Sequence, residues 1–106
     1  MTVLSVSKDN FQQEVLDYKG IVLVDFYADW CGPCRMTSPI IEELSKEVSL
    51  VKFVKINVDE NAELATQYSV FSIPTFLIFK NGQIVSQFVG ALGKEAFKAE
   101  IKKATG

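Results

Sequence analysis

The stretch Trp30-Cys31-Gly32-Pro33-Cys34 holds both cysteines of this 106-residue chain, and it lies where one sequence pattern gives way to another. Residues 21–28 before it are almost continuously apolar and β-branched, which is typical of a strand buried on both faces. After it, apolar residues recur at helical spacing as far as Val48. We therefore predict a strand followed by a helix, with Cys31 as the N-cap. Pro33 then falls in the first turn, where a missing N–H costs no intrahelical hydrogen bond.

A helix N-terminus would give the two cysteines different chemistry. Its unpaired N–H groups and positive dipole end favour the thiolate form of Cys31, which is expected to be the nucleophile. Cys34, one turn inside the helix, is expected to lie deeper and to act as the resolving thiol. The pattern favours dithiol–disulfide exchange.

Two other uses of the cysteine pair are weaker. As a structural staple it would remove only roughly 2 kcal/mol of unfolded-state entropy, because the closed loop is so short. A structural zinc site needs about four protein ligands. The chain has no further cysteine and no histidine, so only an intermolecular metal site would be possible.

Composition and charge indicate the class of protein. With 106 residues and 48% apolar content, the chain is long enough for one hydrophobic core, and we assign residues 1–106 to a single domain. Lys plus Arg (11) nearly balance Asp plus Glu (13), so a nucleic-acid partner is not expected. We find no apolar run of membrane-spanning length and no signal-peptide pattern, and therefore expect no membrane partner. Cysteines confined to one motif suit a reducing compartment. We expect a cytoplasmic protein or, alternatively, the mature form of an organellar one.

The remaining patterns predict strands alternating with helices. Strands are predicted at residues 3–6, 21–28, 51–58, 75–79 and 84–89. Helix N-caps are predicted at Ser7, Cys31, either Asp59 or Asn61, and Gly93, and the last helix at residues 94–104, ending near Gly106. The second and third strands should be parallel, the last two should form a hairpin through Asn81-Gly82, and helices should cover both faces of the sheet. Pro39 should kink its helix.

Residues 24–36 are similar to the active-site segment of the thioredoxin family. The resemblance continues through Lys55, Asp59, Ile73-Pro74-Thr75 and Gly90, and covers essentially the whole chain. It implies the thioredoxin fold, an α/β architecture with a central mixed five-stranded sheet flanked by four helices. It also implies a monomeric protein-disulfide reductase that passes electrons to disulfide-containing target proteins. Such a protein binds no cofactor, because its redox group is its own disulfide, and a thioredoxin reductase recharges it with electrons from NADPH.

The resemblance also assigns roles around the motif. Asp25 interrupts the most apolar strand, where burial should raise its pKa, and the family uses this acid to relay the proton that Cys34 loses. The family pairs it with Lys55 in the neighbouring strand. The alternative for Asp25 is an acid at a strand end that reaches solvent or a helix N-terminus, and the alternative for Lys55 is a solvated strand lysine. Asp59 would accept the indole N–H of Trp30, unless it caps a helix instead.

A docking surface for substrates is implied as well. By resemblance Pro74 is a cis-proline opposite the cysteines, which leaves the backbone of Ile73 free to pair with an extended substrate. The surface would comprise Trp30, Gly32, Pro33, Ile73, Pro74, Gly90 and Ala91, although core packing is an alternative role for Ile73. The family also has a proline at Pro39, which we assign to structural support. The chain departs from the family at Phe71-Ser72, where a polar or small residue and then often a glycine is usual, and Phe71 would enlarge the surface.

Two other functions fit part of the pattern. A glutathione-linked glutaredoxin would use the same thiols, but its usual Pro-Tyr insert is replaced by Gly32-Pro33. A non-enzymatic docking or processivity subunit of a larger enzyme would use only the apolar surface. The Gly-Pro insert also argues against an oxidase or isomerase, because a histidine there would stabilise the thiolate and make the protein more oxidising.

Overall fold

A computed structural model of the chain describes residues 3–105, and these residues contain one mixed five-stranded sheet in the order β1-β3-β2-β4-β5. The strands are β1 Leu4–Ser5, β2 Ile21–Tyr27, β3 Val51–Asn57, β4 Thr75–Lys80 and β5 Gln83–Val89. β3 runs parallel to β1 and β2, whereas β4 is antiparallel to both β2 and β5. The predicted parallel pair and the predicted hairpin are therefore confirmed.

Four helical segments flank the sheet in the same part of the chain. They are a π-helical segment Gln12–Leu16 and the α-helices α1 Gly32–Glu47, α2 Ala62–Gln67 and α3 Lys94–Thr105. The π-helical segment and α2 pack against one face, and α1 and α3 pack against the other. The mixed five-stranded sheet flanked by four helices is thus the predicted one.

The central strand β2 is covered on both faces because its side chains alternate between two cores. Val22, Val24 and Phe26 belong to the core under α2, and Ile21 and Leu23 belong to the core under α1. All five are buried. This alternation decides which side of the sheet every functional residue of β2 and β3 can reach.

The first helix departs from the prediction at its start. Ser7 is not its N-cap, because the Ser7 hydroxyl accepts a hydrogen bond from the Asp9 N–H and the Asn10 side chain accepts one from the Ser7 N–H. These local bonds hold a turn, and the π-helical segment begins only after Phe11. Phe11 and Val15 are nevertheless buried and join the core on the face of the sheet that α2 covers.

Other boundaries shift by a residue or two. β2 and β3 end at Tyr27 and Asn57, one residue earlier than predicted, and β1 is shorter than its predicted span. Asn61 is the N-cap residue of α2, but its side chain makes no capping hydrogen bond. The predicted end of the last helix near Gly106 lies outside the described residues. The kink expected at Pro39, which lies inside α1, stays a prediction.

Candidate active site

The two cysteines form a disulfide at the start of α1, with their Cα atoms 5.2 Å apart. Cys31 has an extended backbone conformation and is the N-cap of the helix, as predicted. Its Sγ accepts a hydrogen bond from the Cys34 N–H at 3.1 Å. This sulfur therefore already lies at the first free amides of the helix, where a negative charge is favoured.

Burial does not separate the two cysteines. Cys31 is 3% exposed and Cys34 is 4% exposed, and both pack with Ala28. The expectation that Cys34 lies deeper is therefore wrong for this disulfide form, in which both cysteines belong to one buried cluster. What differs is their surroundings, since Cys34 alone of the two lines an adjoining cavity.

Asp25 lies on the face of β2 that α1 covers. It has the same strand parity as Ile21 and Leu23 and is 5% exposed, so the alternative of an acid that reaches solvent is excluded. Within the described residues its buried Oδ1 has no hydrogen-bond partner. Burial raises the pKa of Asp25 from 3.8 to about 7, and the charge of Lys55 acts in the opposite direction. The carboxyl can therefore exchange a proton near neutral pH.

Lys55 is the register partner of Asp25 across the β2–β3 ladder, and parity puts it on the same face. No ion pair formed by residues 3–105 joins the two side chains. The Lys55 ammonium instead lies 5.8 Å from the centre of the Tyr27 ring. The predicted pairing is thus an interaction between charges that share a cavity, and not a direct contact.

The same cavity is lined by the two charged strand residues and by Cys34. Its volume is about 400 Å³, and its lining consists of Asp25, Tyr27, Ala28, Asp29, Cys34, Arg35, Ser38 and Lys55. A space of this size and polarity can hold several water molecules. It provides room for a proton to pass between Cys34, Asp25 and the solvent.

Two side chains fix the loop that precedes the cysteines. The Trp30 indole Nε1 donates to Asp59 Oδ2 at 2.9 Å, as the resemblance implied, and Asp59 is not the residue that caps α2. Arg35 donates through Nε and Nη2 to the Asp29 carbonyl oxygen, at 3.2 and 2.9 Å. Sequence reasoning missed Arg35. The sequence did contain a signal for this contact, because an arginine one turn after the N-cap is long enough for its guanidinium to reach a carbonyl oxygen of the preceding loop.

The segment opposite the cysteines contains the cis Ile73–Pro74 bond, as predicted. Ile73 is partly buried and packs against the cysteine cluster, so core packing and surface exposure both describe it. The Pro74 carbonyl oxygen accepts a hydrogen bond from the Gly90 N–H at 2.9 Å, which brings the end of β5 to this loop. Of the residues predicted to form the docking surface, Pro74 is buried and Ile73 and Gly90 are partly buried, so only part of that surface is open in this disulfide form. The exposed members are Trp30, Gly32, Pro33 and Ala91.

The model of the thioredoxin family matches residues 2–103. This chain belongs to the thioredoxin family. It is 48% identical over 99 residues to "Thioredoxin 1" of Nostoc sp., with 92% of each chain covered. It is 49% identical over 98 residues to a thioredoxin of Chlorobaculum thiosulfatiphilum, covering 92% of this chain and 91% of the relative. Identity to the thioredoxin of Bacillus subtilis is 44% over 104 residues, covering 97% and 98%.

Membership of the thioredoxin family fixes the type of chemistry. The chain is a dithiol–disulfide oxidoreductase that carries its redox group in its own Cys31–Cys34 disulfide, and thioredoxins carry no bound cofactor. Disulfide-containing proteins and reductases are the partners of thioredoxins generally. Residues 3–105 contain no cluster of three or more potential metal-ligating side chains. None of the helices within that range has the length and apolar character needed to cross a membrane.

Proposed function

We propose that this chain is a general protein-disulfide reductase, formed by one domain over residues 1–106 and acting in the cytoplasm as a monomer. A thioredoxin reductase would recharge it with electrons from NADPH. The observation that carries the proposal is the hydrogen bond from the Cys34 N–H to Cys31 Sγ at the N-terminus of α1. It gives one sulfur of the pair the environment in which a thiolate is stabilised.

The first step is attack by the Cys31 thiolate on one sulfur of a target disulfide. A bond forms between Cys31 Sγ and that sulfur, and the other target sulfur leaves as a thiolate. Trp30, Gly32 and Pro33 neighbour the cysteines in the sequence and Ile73 packs against them, so we expect these residues to contact the target.

The second step is attack by Cys34 on Cys31 Sγ. This forms the disulfide seen in the structure and releases the second target thiolate, so the target gains two electrons in total. Cys34 must lose its proton first, and the cavity that it shares with Asp25 provides an acceptor. Asp25 suits this role because burial raises its pKa to about 7, so its ionised form can take a proton near neutral pH. Lys55, across the same cavity, favours that ionised form.

Reduction of insulin tests the reductase proposal directly. With a thioredoxin reductase and NADPH, the chain should reduce insulin disulfides and consume NADPH in step. Dependence on glutathione instead would indicate a glutaredoxin. A chain with both cysteines changed to serine should be inactive in this assay. If that double variant nevertheless restored every cellular phenotype of a strain lacking the chain, the docking-subunit alternative would be favoured.

Trapping experiments test the roles of the two thiols. We expect Cys34→Ser to accumulate stable mixed disulfides with target proteins, because its Cys31 can attack but nothing resolves the product. Cys31→Ser should trap few, because its remaining thiol lacks the N-cap environment. Alkylation of the reduced wild type with iodoacetamide near neutral pH should modify Cys31 first. Modification of Cys34 first would reverse the assigned roles.

A further inference from the structure

In residues 3–105, three of the four most exposed large apolar side chains belong to segments that contain the cysteines or pack against them. Within the described residues, the four most exposed are Leu50 and Phe71 at 82% and Trp30 and Met36 at 68%. Trp30 and Met36 lie within two positions of a cysteine, and Phe71 lies two positions before Ile73, which packs against the cysteine cluster. Exposed apolar side chains that cluster at one place mark an interaction surface.

Phe71 contributes little to the stability of the fold. At 82% exposure it has almost no side-chain burial, and it takes part in none of the ring pairs formed within residues 3–105. The neighbouring Ser72 serves the local structure instead, since its carbonyl oxygen accepts a hydrogen bond from the Thr75 hydroxyl. Packing within the chain therefore gives no reason for a phenyl ring at this position.

The covalent step brings the target to this ring. A mixed disulfide requires the Cα atoms of the two bonded cysteines to lie about 4.4–6.8 Å apart. Because Cys31 is only 3% exposed, a target must press closely on the surface around it to reach that separation. Phe71 can lie no more than about 7 Å from Ile73 along the backbone, and an extended target segment advances about 3.3 Å per residue. A target residue two to four positions from the attacked cysteine can therefore reach Phe71.

We propose that Phe71 is a specificity-determining residue that selects targets with an apolar side chain two to four positions from the attacked cysteine. The inference rests on the proposed reductase function and names the substrate class of that same site. Contact between an apolar target side chain and the ring removes both from water, which is favourable. A charged target side chain would lose hydration against a phenyl ring that offers it no hydrogen-bond partner.

Kinetics with matched disulfide peptides test this proposal. The peptides share one sequence and differ only at the position three residues from the attacked cysteine, which is Phe in one and Ser in the other. For the Phe peptide, Phe71→Ser should lower kcat/KM by about five- to thirty-fold through a raised KM. For the Ser peptide it should change kcat/KM less than about twofold. Phe71→Leu should retain most of the preference, because it keeps an apolar side chain there.

Leu50→Ser is the matched control. Leu50 is as exposed as Phe71 but precedes Val51, which pairs with Ile21 at the end of the sheet away from the cysteines. This variant should change the rate for neither peptide. Equal losses for both peptides in Phe71→Ser, or no loss for either, would overturn the proposal. Wild type that reduces both peptides without preference overturns this inference alone, whereas wild type that reduces neither overturns the reductase function as well.

Discussion

Asp25→Asn should stabilise the folded chain increasingly as pH rises, because it removes a buried acid that folding keeps protonated. Below pH 3.8 the wild-type carboxyl is protonated in both states and contributes no difference. Above that pH the unfolded chain loses its proton first, so wild-type stability falls by about 1.4 kcal/mol per pH unit until the folded pKa is reached. The interval from 3.8 to about 7 spans about 3 pH units, so the fall totals at most about 4 kcal/mol. Asparagine does not titrate.

The assay is urea denaturation of the oxidised wild type and variant at pH 4, 6 and 8. The difference between their free energies of unfolding cancels the titration of the groups they share. It should grow in favour of Asp25→Asn between pH 4 and pH 7 and level off above. Because Oδ1 has no hydrogen-bond partner, the amide of Asp25→Asn would also be unsatisfied there. This lowers the stability of the variant by about 1–3 kcal/mol at every pH, so it does not change the trend with pH. Asp29→Asn, at an exposed acid lining the same cavity, is the control and should show no comparable growth. A difference that stays flat or shrinks with pH would refute the reasoning.

The same variant should slow catalysis in one step only. Attack by Cys31 depends on the helix end and should change little, whereas Cys34 loses the proton acceptor that we propose for it in the shared cavity. Stopped-flow decay of a preformed mixed disulfide near neutral pH should therefore be slower in Asp25→Asn. Unchanged decay together with lower stability would make Asp25 an ordinary structural acid.

Two further variants test how the loops around the site are held. Asp59→Ala removes the acceptor of the Trp30 indole N–H. Trp30 is the single tryptophan of the chain, so the fluorescence anisotropy of this variant should be lower than that of the wild type. An unchanged anisotropy would mean that the hydrogen bond does not hold the ring. Gly82→Ala should cost about 1–3 kcal/mol in thermal denaturation, because φ is +83° and the new Cβ would lie 2.5 Å from the Leu16 carbonyl oxygen. The control Gly93→Ala, with nothing within 4 Å of the new Cβ, should cost less than about 1 kcal/mol.

Sequence reasoning succeeded where one strong pattern fixes a local structure. The apolar run of β2 predicted a strand buried on both faces. The change from a strand pattern to a helix pattern, with Pro33 tolerated in the first turn, predicted the N-cap position of Cys31. Asn81-Gly82 predicted the hairpin, and both residues have the positive φ that such a turn requires. Asp25 was found because no apolar pattern explains a carboxylate in that run.

The features that sequence reasoning missed depend on which of several local hydrogen bonds forms, or on how separate segments are placed in the fold. The Ser7 hydroxyl can accept a hydrogen bond either as a helix N-cap or within a local turn. In the structure it belongs to a turn, in which the Asn10 side chain accepts a hydrogen bond from the Ser7 N–H. The reach of Arg35 to the Asp29 carbonyl depends on how α1 leaves the sheet. The charges of Asp25 and Lys55 share a register pair, but whether their side chains touch depends on side-chain conformations that no sequence spacing reveals.

Strand parity ties the chemistry of Cys34 to the fold. Asp25 and Lys55 are register partners on adjacent strands, and both point to the face that α1 covers. A one-residue slip in either strand would turn its charged residue to the face covered by α2, away from the cavity that Cys34 lines. The apolar residues of β2 and β3 forbid that slip, because it would exchange the contents of both cores. The hydrophobic pattern that holds the sheet in register therefore also keeps the Asp25 carboxyl at the cavity that Cys34 lines, despite the stability that a buried acid costs near neutral pH.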